Sequence, residues 1–122
     1  MAFFSLSVRL KQQKVAINFI QAQRDAHMPV KIIIIRRIPP RQDAEIRPLM
    51  LQMRELAHAQ PGYIGGETLI NYDDPEEKVV ISTWQSLGNW NTWLENPQRR
   101  QLQERIDTLL QHETYYQIYH PA

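Results

Sequence analysis

Cysteine is absent from the sequence. That excludes disulfides, thiolate metal sites, iron–sulfur clusters and cysteine nucleophiles together. Long apolar runs are missing as well: none approaches the roughly 18 residues that a membrane helix needs. Near the start, Arg9, Lys11 and Lys14 interrupt every stretch that could serve as the apolar region of a secretory signal. The expectation is a cytoplasmic protein with no membrane partner. An excess of one charge is lacking too, because the formal net charge is only +1. A nucleic-acid binder carries a strong basic excess on one face, so no nucleic-acid partner is expected. Arg36, Arg37 and Arg41, and again Arg99, Arg100 and Arg105, read as two solvated basic surfaces. There is no G-x-G-x-x-G and no phosphate loop, and no serine elbow. No two histidines stand at metal-ligand spacing with a carboxylate beside them. No metal and no cofactor are expected.

What is present suits one domain. The chain has 122 residues, of which 43% are hydrophobic and 22% charged, within the ordinary range for a soluble globular fold. Residues 1–29 differ from the rest. Phe4, Leu6, Val8 and Leu10 alternate with polar positions, as do Val15, Ile17 and Phe19. Period alone leaves a hairpin and an amphipathic helix both open here. This N-terminal extension is expected to be either an arm that packs on a partner subunit or a non-native leader that ends before Met28. The folded domain is expected over residues 30–122.

Val30–Arg37 reads VKIIIIRR, a β-prone run that Pro39-Pro40 terminates. Asp43 is a plausible N-cap for a helix. In that helix Ile46, Leu49, Met50, Met53, Leu56 and Ala57 form one apolar stripe. Gln60-Pro61-Gly62 stops it. Tyr63–Tyr72 is a second strand whose Gly65-Gly66 signals a bulge or a close backbone approach. The acidic turn from Asp73 to Glu77 leads into a third strand, Lys78–Trp84. Ser86 can cap a short helix carrying Trp90, Trp93 and Leu94. Pro97 opens a last helix with the stripe Leu102, Ile106, Leu109 and Leu110. Thr114–His120 is the final strand. The order β-α-β-β-α-β predicts an α+β, ferredoxin-like fold with a four-stranded antiparallel sheet.

Both helical layers of such a fold cover one sheet face, and a monomer would alternate apolar and polar residues along each strand. These strands do not. Ile32 and Ile34 oppose Ile33 and Ile35, Val79 and Ile81 oppose Val80 and Trp84, and Tyr115 and Tyr119 oppose Tyr116 and Ile118. An exposed apolar face of that extent calls for a cover. The simplest is the same face of a second copy, which predicts a homodimer. The rival is that residues 1–29 fold back over it.

Gln60-Pro61-Gly62-Tyr63, Trp84-Gln85-Ser86 and Trp90–Trp93, in this element order, resemble the antibiotic biosynthesis monooxygenase family of dimeric α/β-barrel proteins. The resemblance spans about Val30 to His120. It implies a pocket between helices and sheet in each protomer. It implies either oxidation of phenols or quinols by molecular oxygen without a cofactor, haem degradation, or small-molecule binding. For the haem-degrading branch, the resemblance implies a strand-one asparagine, a tryptophan on the short helix and a histidine ten residues further on. Trp93 fits, but Gln103 stands where the histidine belongs and no asparagine lies between Val30 and Pro40. The cofactor-free oxygenases match at Trp84. Their asparagine would fall near Val80, and Asn71 on the neighbouring strand is the candidate substitute.

The catalytic candidates are Trp84, Asn71 and Arg36, the last because a guanidinium stabilises a developing anion. Trp84, Trp90, Trp93, Tyr63, Tyr72 and Tyr116 are candidates to wall a slot for a small aromatic ligand, against the plainer reading that each packs a core or an interface. His58 and His112 end helices, where they complement the dipole. The functional expectation is a cofactor-independent mono-oxygenase acting on a small aromatic phenol or quinol. The alternative is a non-catalytic dimeric binding protein of the same fold.

Overall fold

A computed structural model describes residues 27–122. The readings made for the extension over residues 1–26 lie outside the described residues. The elements run β1 (Val30–Arg37), a 3-10 turn (Pro40–Gln42), α1 (Asp43–His58), β2 (Tyr63–Ile70), β3 (Glu77–Trp84), α2 (Leu87–Leu94), α3 (Pro97–Leu110) and β4 (Tyr115–Tyr119). The four strands form one sheet in the order β2-β3-β1-β4, all neighbours antiparallel. This is the expected ferredoxin-like α+β arrangement, with the second helical segment split in two.

Alternation along β1 places Val30, Ile32, Ile34 and Arg36 under the helices and Ile33 and Ile35 on the other face. The register Val30↔Trp84, Ile32↔Ser82 and Ile34↔Val80 brings β3's helix-side residues beside them. Ile34↔Tyr116 does the same for β4. The sequence's bulge signal at Gly65-Gly66 is realised as a register shift between Tyr63 and Gly65. Tyr63 thereby stays on the helix side, opposite Trp84.

The caps follow the side chains. Ser86 Oγ accepts from the Asn89 N–H at 3.1 Å and starts α2. Asn96 Oδ1 accepts from the N–H groups of Gln98 and Arg99 at 2.9 and 3.1 Å, with Pro97 as the first helical residue of α3. Gly62 (φ +83°) makes the turn from α1 into β2, and its carbonyl accepts from the Gln85 N–H at 2.7 Å. A Cβ there would lie 2.2 Å from Asn89, so only glycine fits both the dihedral and the space.

Besides one-residue differences at the start of β3 and the end of β4, three boundaries differ from the sequence reading. Asp43 is not an N-cap. Pro39-Pro40 winds a 3-10 turn first, so α1 begins with no side-chain cap, and Asp43 pairs with Lys78 at 2.7 Å and with Arg47. β2 ends at Ile70 and not Tyr72, because Asn71 opens the hairpin turn: its Oδ1 accepts from the N–H groups of Asp73 and Asp74. β4 begins after Thr114, whose hydroxyl is held by α3 instead.

The core divides in two. Ile38, Ile46, Leu49, Leu102, Ile106 and Leu110 form an aliphatic cluster between α1 and α3. Val30, Ile32, Ile34, Ala57, Trp84, Trp90 and Trp93 form an aromatic one between α1, α2 and the sheet. On the far sheet face nothing among the described residues covers Ile33, Ile35, Val79 and Ile81, and Leu69, Tyr115 and Tyr119 are exposed.

Candidate functional site

The aromatic half of the core is hollow. A cavity of about 170 Å³ lies between α1 and the sheet. Ile34 and Arg36 of β1, Val80, Ser82 and Trp84 of β3 and Tyr63 and Thr68 of β2 make its floor, Met50, Met53 and Ala57 of α1 its roof. Trp90 and Trp93 of α2 and Arg99 of α3 also line it. A second compartment, about 270 Å³, shares Arg36, Arg47, Met50, Thr68 and Val80 with the first and extends to Ile38, Ile70 and the Asp43–Lys78 pair.

The rings are arranged by the strands and caps described above. Trp84 is the hub. Its ring centroid is 5.2 Å from Tyr63 edge-on, 5.9 Å from Trp90 edge-on and 6.3 Å from Trp93 in a stacked geometry. These are the favourable separations for aromatic pairs. Its Nε1 donates to Ser82 Oγ at 3.1 Å, so its polar handle is satisfied inside the sheet. Gly66 lies against the Tyr63 hydroxyl, where an added Cβ would come within 3.0 Å. The small residue lets Tyr63 stand over the cavity wall.

Two arginines are buried here, Arg36 and Arg99, each only 4% exposed. Neither forms an ion pair with a carboxylate among the described residues. Arg99 is sheltered by rings: its guanidinium carbon is 5.7 Å from the Trp90 centroid, 6.0 Å from Trp93 and 5.3 Å from Tyr116. Each such contact is worth about 0.5–2 kcal/mol. Arg99 also donates to the Leu94 carbonyl at 3.1 Å and to the Tyr116 hydroxyl. Arg36 Nη2 donates to Gln103 Oε1 at 3.0 Å, and Tyr116 donates to that same oxygen at 3.0 Å. Gln103 Nε2 in turn donates to Asp107 at 2.7 Å and to Thr114 at 2.8 Å. Gln103 is thus fixed with its oxygen toward the arginines and its amide toward the acid. Asp107 is the nearest counter-charge, and it reaches Arg36 only through that amide.

The Arg36 guanidinium is held below its ordinary pKa. Burial is the main cause, Tyr116 and Asp107 oppose it, and the charge of Arg99 adds to it. Arginine nonetheless remains charged in proteins. Two N–H donors of cavity-wall residues, Arg36 Nε and Trp90 Nε1, are buried without an acceptor among the described residues. Buried donors are nearly always paired, and each orphan costs about 1–3 kcal/mol. The cavity is therefore aromatic-walled, electropositive and short of acceptors, which suits a flat anion.

Of the residues singled out in the sequence, Arg36, Tyr63, Trp84, Trp90 and Trp93 meet at this cavity. Tyr116 stands behind the wall, 5.6 Å from Trp90, and works through Arg99 and Gln103. Tyr72 does not join them. It is 97% exposed in the hairpin turn, because the strand ends two residues before it. Asn71 does not either, since both ends of its amide are spent on the turn and on Glu77. His58 packs its ring 4.8 Å from Tyr63 but is not part of the cavity wall. Arg99 and Gln103 were passed over in the sequence, Arg99 as one member of a surface cluster. Both fall on the buried stripe with Leu102, Ile106 and Leu110, and that spacing was the available signal. Among the described residues no group of three or more histidine, cysteine or acidic side chains is placed to hold a metal, and no helix is long and apolar enough to cross a membrane.

The family described as antibiotic biosynthesis monooxygenase matches residues 29–105. The chain belongs to this family. Its match takes in β1 through most of α3, and so carries every residue of the cavity wall. No curated protein matches it in sequence. Among solved structures, a conserved protein from Methanosarcina mazei Go1 superposes with a TM-score of 0.72 at 15% identity, covering 82% of this chain and 99% of that one. SnoaB, a cofactor-independent oxygenase from Streptomyces nogalater, gives 0.60 at 16% identity over 78% and 92%. Rv0793 from Mycobacterium tuberculosis gives 0.68 at 18% over 77% and 95%. At these identities the likeness speaks for the fold.

Proposed function

We propose that the protein is a cofactor-independent mono-oxygenase that oxidises a small aromatic phenol or quinol with molecular oxygen, acting as a cytoplasmic homodimer. The observation that carries this reading is the aromatic cavity with a buried, ion-pair-free guanidinium in its wall. Family membership and the fold shared with a cofactor-independent oxygenase support it.

A phenol gives an electron to dioxygen far more readily as the anion. A free phenol ionises near pH 10. A buried positive charge favours the ionised form of a neighbouring acid, so Arg36 lowers that value for a phenol bound beside it, and the proton passes to solvent. One oxygen atom of the dioxygen joins a ring carbon and the other leaves as water. The phenol supplies all four electrons and becomes a quinone, so no external reductant is needed. Trp84, held by Ser82, forms the flat wall against which the ring is oriented.

One observation favours a second reading, a non-catalytic binding protein. Among the described residues no histidine lines the cavity, and the one carboxylate in its wall, Glu67, is exposed. Oxygen-electrode measurements with a panel of electron-rich phenols separate the two. The mono-oxygenase consumes one dioxygen per quinone formed with nothing added, and Trp84→Phe slows it at least tenfold. No uptake across the panel would leave the binding protein standing.

The homodimer is supported by the uncovered apolar sheet face around Ile33, Ile35, Val79 and Ile81. Native mass spectrometry should report two copies, and Ile33→Lys should shift the population to monomer. A wild-type monomer would overturn this assembly.

A further inference from the structure

Two features of the cavity remain without a use in the general reading: its small volume and its two orphaned donors. An apolar protein cavity of about 150 Å³ accepts benzene, and this one measures about 170 Å³. It is the size of one ring. Further fused rings would extend past Met50 and Thr68 into the second compartment, or outward past the exposed Leu51 and Glu67. The second compartment is mostly apolar but carries the Asp43–Lys78 ion pair, which a polycycle lying over it would strip of hydration.

The donors come from different elements of the cavity wall, Arg36 Nε from β1 and Trp90 Nε1 from α2, and neither has an acceptor among the described residues. The charge tally among the buried groups is simple. Arg36 and Arg99 bring two buried positive charges, no carboxylate among the described residues is buried with them, and the half-buried Asp107 reaches Arg36 only through Gln103. An anion in the cavity would supply both an acceptor and the missing negative charge.

We infer that the cavity selects a single-ring phenol bound as its monoanion, the ionised oxygen seated between Arg36 Nε and Trp90 Nε1, with Trp90 as a specificity-determining residue. This deepens the mono-oxygenase reading and takes its pocket as given, yet it concerns binding and ionisation alone. Trp90 acts here as an oxyanion donor. It supplies a neutral N–H where a second cation would repel Arg36 and Arg99 further.

4-Nitrophenol tests this, because its ionisation is visible in its absorption spectrum. The experiment is a spectrophotometric pH titration of the indicator with the full-length protein under nitrogen. The bound indicator should ionise at least one pH unit lower than the free one, which corresponds to at least tenfold tighter binding of the anion than of the neutral form. Trp90→Phe keeps an aromatic ring in the wall and removes the N–H donor together with part of the ring area. It should reduce that preference at least threefold. Arg36→Gln should abolish it, and if that variant does not fold, the Trp90→Phe titration still decides. A nitronaphthol, with one more ring, should bind at least tenfold more weakly. A bound indicator that stays neutral, a Trp90→Phe protein with unchanged anion preference, equal affinity for the naphthol, or tighter binding of 4-nitrobenzoate than of 4-nitrophenolate would each overturn the inference. Oxygen consumption with a neutral bound phenol would sink this inference and spare the mono-oxygenase. Anion binding without oxygen consumption would do the reverse.

Discussion

The two halves of the helix–sheet interface are built from different material. Around Ile38, Ile46, Leu49, Leu102, Ile106 and Leu110 the contacts are aliphatic and join α1 to α3, with Ile38 and Ile46 at the margin bordering the second compartment. Around Trp84, Trp90 and Trp93 the walls are rigid rings, a cavity is left open, and two arginines are buried without carboxylates. Both halves hang on the same α1 and the same α3. The aliphatic half secures the elements, and this lets the aromatic half carry hollow space and uncompensated charge that a self-sufficient core would not tolerate. The site is where packing was given up, and the aliphatic half makes that sustainable.

That contrast can be broken from either side. Ile106→Ala removes a fully buried side chain from the aliphatic half and should cost about 2–5 kcal/mol of stability in denaturant unfolding. Its affinity for a phenolate probe should stay within a factor of two. Gln103→Leu strikes the joint between the halves. It strips Arg36 and Tyr116 of their acceptor, and each orphaned donor should cost about 1–3 kcal/mol, with binding lost as well. Within the hollow half, Trp84→Phe and Trp90→Phe should part company. The first loses a made hydrogen bond to Ser82 and should destabilise by about 1–2 kcal/mol. The second deletes an N–H that has no acceptor, so the relief offsets the lost ring atoms and unfolding should change by less than about 1 kcal/mol.

The smallest effect lies outside both halves. Asp43 beside Lys78 and Arg47, and Asp74 beside Arg37, are held below the ordinary carboxylate range, in each case chiefly by the hydrogen bond from the cation. Groups depressed in the native state stabilise it fully above their unfolded value of about 4. That contribution is lost as pH falls through the lower native values. Thermal unfolding should therefore show a shallow loss of stability below about pH 4, flattened in the Asp43→Asn, Asp74→Asn double variant. All five carboxylate and cation groups are partly solvated, so salt should weaken the same effect.

The halves also differed in how plainly the sequence announced them. The aliphatic half was legible: Ile46 and Leu49, or Leu102, Ile106 and Leu110, repeat at helical spacing, and periodic apolar residues have one common reading. So were the order of the elements, the bulge at Gly65-Gly66, the cap at Ser86 and the helix start at Pro97, each a local signal with a local cause. The site was half legible. Trp84, Trp90, Trp93 and Tyr63 stood out as large rings, and Arg36 as a strand-end cation able to stabilise an anion. Arg99 and Gln103 did not, because composition assigns arginine and glutamine to the surface, and only their phase on α3 places them inside. Tyr72 and Asn71 were misplaced for the opposite reason. A tyrosine after a β-prone run looks like strand, and the amide that closes a turn on its own backbone shows only when the hydrogen bonds are seen.

The central claim is that the hollow half is a seat for an aromatic anion. A crystal structure of the protein grown with 4-nitrophenol tests it most directly. The account predicts one ring in the cavity between Met53 and Trp84, its oxygen within hydrogen-bonding distance of both Arg36 Nε and Trp90 Nε1. Water on those two donors with the phenol bound elsewhere, or a collapsed cavity with no room for a ring, would contradict it.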